Sequence, residues 1–79
     1  MPDVTATLDI TREVCPMTYV RTKLKLESLP PDALLEVLLK GEEPLKNVPR
    51  SAADEGHDVV SLAPRGDGTH RLVLRKRGR

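Results

Sequence analysis

In 79 residues there is one cysteine, one tyrosine, and no phenylalanine or tryptophan. A single cysteine excludes an internal disulfide framework and any cysteine-rich zinc or iron–sulfur cage. So few aromatics argue against a surface that stacks unpaired bases on rings, and leave the core to branched aliphatics. Charge of one sign is missing as well. Thirteen Lys and Arg stand against twelve Asp and Glu, a net charge of +1, so no global field draws the chain to nucleic acid or a membrane. No apolar run approaches the ~20 residues a spanning helix needs. The longest, Ala33 to Leu39, is broken by Glu36. Met1-Pro2-Asp3-Val4 lacks a basic region followed by an apolar stretch, so no secretory signal is expected. A free thiol without an export signal suits a reducing cytoplasm.

What is present suits one small domain with a thin core, spanning residues 1–79, its core at about 4–75 and a basic tail at 75–79. Twelve Leu, eight Val and one Ile make up about a quarter of the chain, above the ~20% floor below which disorder is the default reading. Val4, Ala6, Leu8 and Ile10 alternate with polar residues, the period of a half-buried strand. Cys15-Pro16 then opens a helix: proline suits the first helical position, which makes Cys15 the N-cap of a helix from Pro16 to about Leu29. Pro30-Pro31-Asp32 stops it.

That helix carries two apolar lines. Tyr19, Thr22, Leu26 and Leu29 form one; Met17, Val20 and Leu24 form the other. One line faces the sheet; the other either packs on a second helix, the first expectation for a small domain of this kind, or waits for a partner. Ala33 to Leu39 reads as a central strand, parallel to the first through a right-handed crossover. Gly41-Glu42-Glu43-Pro44 reads as a turn. The second helix then follows, with Asn47 as N-cap, Pro49 in its first turn, Val48 and Ala52 on its inner face, and Gly56 as its stop. Two strands, about Asp58 to Leu62 and His70 to Arg75, flank the turn Pro64-Arg65-Gly66-Asp67-Gly68. The order β-α-β-α-β-β predicts an α+β two-layer sandwich: a four-stranded mixed sheet with two helices on one face.

Cys15 is the candidate for chemistry. A thiol at a helix N-terminus meets unpaired backbone N–H groups and the positive end of the helix dipole, both of which favour the reactive thiolate. Arg21 and Lys23, one to two turns on, add positive charge. Against this, a lone cysteine is often a small buried hydrophobe.

A strand followed by Cys15-Pro16-Met17-Thr18 opening a helix resembles the Cys-Pro-x-Pro signature of the TusA-like sulfur-carrier (sulfurtransferase) family. Val48-Pro49-Arg50 is similar to that family's Ile-Pro-Arg segment, and Gly56-His57 to its Gly-His, over about residues 5 to 75. The resemblance implies a persulfide carrier with Cys15 as nucleophile and Pro16 setting the helix start. It implies a desulfurase or rhodanese-type donor protein, a downstream sulfur-acceptor protein, and no metal or organic cofactor. Arg50, with Arg21 and Lys23, would face partners. Such a carrier exchanges sulfur covalently but needs other proteins to complete turnover, so its standing as an enzyme stays open. The sequence departs from the signature at Thr18, which replaces the second proline and brings a hydroxyl able to hydrogen-bond a persulfide. Gly41-Glu42-Glu43-Pro44 stands where the family often has Asp-Pro.

Other features point less far. Arg50, placed near a helix N-terminus, is unfavourable to the dipole and hints at a partner or anion, against a salt bridge to Glu42 or Glu43. His57 is expected to cap the last carbonyls of the second helix. With His70 it gives no metal-ligand spacing, so no metal site is expected. Arg71, Arg75, Lys76, Arg77 and Arg79 read first as a solubilising edge and frayed terminus, second as a docking tail. RNA binding is not expected, and a monomer is. The alternative function is a non-catalytic interaction or regulatory module of the same fold, with RNA contact through the basic tail.

Overall fold

Within the apolar run after Asp32, every second residue is buried without remainder: Leu35, Val37 and Leu39 have no exposed surface, while Leu34, Glu36 and Leu38 look to the other face of a strand. The computed structural model describes residues 4–13 and 17–77. Its elements are β1 (Ala6–Asp9), α1 (Met17–Glu27), β2 (Leu34–Lys40), α2 (Glu42–Asp54), β3 (Asp58–Pro64) and β4 (Thr69–Arg75). They form a four-stranded sheet in the order β1-β2-β4-β3. β1 runs parallel to β2, and β4 is antiparallel to both β2 and β3. This is the expected two-layer α+β architecture.

One face of the sheet carries the core. Leu35, Val37 and Leu39 of β2 meet Leu72 and Leu74 of β4, with Leu26 of α1, Val48 and Ala52 of α2, and Ile10. Fully burying each of the larger side chains contributes about 1.5–3 kcal/mol. The opposite face mixes apolar residues, among them Leu34, Leu38 and Val73, with polar pairs. Thr7 donates to Glu36, and Arg71 pairs with the same carboxylate. Arg75 pairs with Asp58 at 2.5 Å.

Two expectations are corrected. The second helix begins at Glu42, not after Asn47. Gly41, at φ 99°, turns the chain out of β2. Glu42 and Glu43 then occupy the first turn, where their charge favours the positive end of the dipole. Pro44, third in the helix, loses no intrahelical bond there. Pro49 consequently lies inside the helix rather than at its start, where its missing N–H and its ring cost about 3 kcal/mol. Burial of Pro44, Val48 and Ala52, four apart, sustains the helix across it. Its end is as read from Gly56, which has φ 91°. Gly56 N donates to Ala53 O and His57 N to Ala52 O, both at 3.0 Å, the paired bonds of a Schellman stop.

The second correction concerns α1. Thr22 and Leu26 are buried as expected, joined by Thr18, with Tyr19 and Leu29 packed at the core's margin. The other line meets no helix: Met17, Val20 and Leu24 are 40%, 39% and 62% exposed. α2 packs beside α1 on the Tyr19 side, where the Tyr19 hydroxyl donates to Glu55 at 2.9 Å.

Candidate functional site

The parallel pairing of β1 and β2 brings the β1–α1 connection and the β2–α2 turn to one end of the sheet. Cys15 and Pro16, and with them the expected N-cap, lie outside the described residues. The chain on both sides is defined. Asp9 Oδ1 accepts from Thr11 N at 2.9 Å and from the Thr11 hydroxyl at 2.7 Å. Those bonds, led by the hydroxyl, hold the Asp9 carboxyl below the usual carboxylate range. Glu13 N donates to Ile10 O at 3.1 Å. After residue 16, α1 opens at Met17 with no acidic residue in its first turn, so no α1 carboxylate there opposes a negative charge ahead of the helix.

The remaining expected site residues are not gathered in one place. Thr18 is buried at 1% exposure, and its carbonyl accepts from the Thr22 hydroxyl at 2.8 Å. Arg21 Nε lies 3.2 Å from Glu13, tying the second turn of α1 to the connection. Lys23 points the other way, its Nζ 3.5 Å from Glu55 on the α2 side. Arg50 is exposed in the second half of α2, so the argument from a helix N-terminus lapses. It forms no ion pair within 4.0 Å among the described residues.

Sequence reasoning missed the polar ties that lock the helices. Burial, then the hydrogen bond to Glu55, raises the Tyr19 phenol, and that bond is the main cause of the lowered Glu55 carboxyl. Lys76 Nζ donates to Leu26 O at 2.8 Å and Leu29 O at 3.1 Å, capping α1. Arg77 Nη1 donates to Glu55 O at 3.1 Å, capping α2. Of the residues read as a frayed basic tail, Arg75, Lys76 and Arg77 are therefore structural. The His57 side chain is not the cap expected of it: its Nδ1 accepts from Arg77 N at 3.1 Å. Desolvation first, then Arg77, lowers its pKa. His70 Nδ1 is buried with no hydrogen-bond partner among the described residues. Among those residues, no group of three His, Cys, Asp or Glu could hold a metal ion, and no helix is long and apolar enough to cross a membrane.

Comparison with known proteins adds four findings. The family model described as "Sulfurtransferase TusA" matches residues 6–76. A protein of Archaeoglobus fulgidus is 40% identical over 70 residues, covering 89% of this chain and 80% of its own. One of Thermotoga maritima is 31% identical over 72 residues, covering 91% of each. Both bear the name "Putative sulfur carrier protein". The crystal structure of a SirA-like protein from Desulfitobacterium hafniense superposes with a TM-score of 0.82 at 20% identity, over 92% of this chain and 99% of that one, which establishes the shared fold.

Proposed function

The chain belongs to the TusA sulfurtransferase family, and from that premise we propose that it is a cytoplasmic sulfur carrier that holds sulfane sulfur as a persulfide on Cys15. The observation that carries this reading is the position of the chain's one cysteine, two residues ahead of α1. The positive end of the α1 dipole, unopposed by any acid in the first turn, favours a thiolate there, and equally the anionic persulfide it becomes. The Cys15 thiolate attacks the outer sulfur of a donor persulfide. One S–S bond forms as another breaks, and the donor leaves as a thiolate, so no external oxidant or reductant is consumed. Transfer to the acceptor repeats the exchange in the other direction. Pro16 would set the helix start. Thr18, buried and facing inward, supports a packing role more than a bond to the sulfur.

A donor such as a cysteine desulfurase or rhodanese-type protein, and an acceptor, must each reach the same sulfur. The line Met17, Val20 and Leu24, with Arg21 beside it, gives them an apolar surface beginning two residues from Cys15. Lys23 and Arg50 would meet partners from the α2 side. The test is intact-mass spectrometry after incubation with an inorganic polysulfide or with a cysteine desulfurase plus cysteine. The reduced chain gains one reducible sulfur and Cys15→Ser gains none. A wild-type chain that stays unmodified with both donors refutes the proposal. The same exposed line favours a second reading, a module that acts by docking alone, in which Cys15→Ser keeps both partner binding and function.

A further inference from the structure

At the other end of α1, ten residues and so about 15 Å along the helix from Met17, a cleft of about 470 Å³ opens between the ends of the two helices. Its walls include Lys23 and Glu27 of α1, Glu55 and His57 after α2, and Lys76 and Arg77 after β4. Three cations face two carboxylates, and the carboxylates are not equal. Glu55 is already engaged on both oxygens, by the Tyr19 hydroxyl and by Lys23. Glu27 has no ion pair within 4.0 Å among the described residues and is exposed. The helix-end carbonyls Leu26 O, Leu29 O and Glu55 O are covered by Lys76 and Arg77.

Donors are left over. His57 is 8% exposed, and its Nδ1 accepts from Arg77 N, so its proton sits on Nε2. No described residue accepts that proton, and His57 is one of the residues lining the cleft. Arg77 commits Nη1 to Glu55 O, and its Nε and Nη2 have no acceptor among the described residues. Lys23 holds Glu55 only through an exposed contact of 3.5 Å, which is readily shared.

We propose that this cleft binds a small tetrahedral oxyanion of the phosphate or sulfate class, held by His57 Nε2–H, the free edge of the Arg77 guanidinium and the Lys23 ammonium. Donors arriving from three separate segments of the chain suit an acceptor whose oxygens point in several directions, as those of a tetrahedral anion do. A neutral His57 suits the role, because it gives a hydrogen bond without adding to the burial cost of another charge. The site lies at the far end of α1 from Met17 and stands independently of the sulfur chemistry.

The experiment is an amide NMR titration of the full chain with inorganic phosphate, and in a parallel arm with sulfate, at ionic strength held constant with chloride. Saturable shifts at Gly56, His57 and Arg77 are expected in at least one arm. Lys23→Gln weakens binding about tenfold, as loss of a charge-assisted hydrogen bond predicts. Glu27→Gln tightens it by removing the unpaired like charge. Far-UV circular dichroism checks that both variants fold, and Glu27→Gln alone decides should Lys23→Gln not. Shifts that fail to saturate in both arms, or affinities unmoved by the substitutions, overturn the proposal.

Discussion

Replacing Lys76 by methionine keeps the apolar stem and removes the ammonium that bonds Leu26 O at 2.8 Å and Leu29 O at 3.1 Å. Hydrogen bonds to a charged group contribute about 1.5–3 kcal/mol each, and a cation at a helix C-terminus adds about 0.3–1 kcal/mol. Here one ammonium serves two carbonyls, and holding a lysine side chain offsets part of the gain, up to about 2 kcal/mol in lost rotamer freedom. We therefore expect Lys76→Met to cost about 2–3 kcal/mol. In a domain this small each kcal/mol lowers Tm by about 4–8 °C, so the midpoint should fall by about 10–20 °C. Urea and thermal unfolding followed by far-UV circular dichroism measure it, with exposed Lys46→Met as a control that should change stability by less than about 0.5 kcal/mol. If Lys76→Met matches the control, the lysine is not the cap of α1.

Tyr19→Phe removes the 2.9 Å bond to Glu55 and should destabilise the fold by about 1–2 kcal/mol in the same assay. The wild-type phenol should titrate well above its ordinary value of 10.0, read from phenolate absorbance. His57, facing Glu55, Asp58, Lys76 and Arg77, has its pKa lowered from 6.5 in the fold. The unfolded chain therefore takes up the proton first: the stability His57 contributes is complete above pH 6.5 and is lost as pH falls through its folded value. The Glu55 carboxyl, also lowered, adds a loss only below its ordinary 4.5. His57→Gln, which keeps an acceptor for Arg77 N, should flatten the slope just below pH 6.5 in urea unfolding, and an unchanged slope would show that another group carries it.

The sequence made legible whatever depends on neighbours along the chain. The length and proline-bounded start of the apolar run at 33–39 favoured a central strand over a helix, and Gly56 read as a helix stop. One of the two apolar lines of α1 had to face the sheet, and the structure shows it to be the Thr22–Leu26 line. The start of α2 was misread because two prolines five residues apart both look like first-turn residues, and only the shared burial of Pro44, Val48 and Ala52 shows that the helix passes through the second. The exposed Met17–Val20–Leu24 line was expected to be covered because periodicity reports apolarity, not which side a second helix takes. Lys76 and Leu26 are 50 residues apart, a distance over which no local pattern carries information. At the site, the cysteine and its following helix were visible in the motif. The Tyr19–Glu55–Lys23 link, joining residues 36 and 32 apart in the chain, was not, since no local pattern pairs a residue of the first helix with Glu55.

Strand order has a consequence for synthesis on the ribosome. β4 lies between β2 and β3 in the sheet yet is the last strand to be made, and Lys76 and Arg77 directly after it fasten both helices. Until that segment emerges, the nascent chain can join β1 to β2, but the inner edge of β2 is unpaired and Leu72 and Leu74 are missing from the core on which both helices pack. The domain must therefore settle in one late step rather than from its N-terminal end onward.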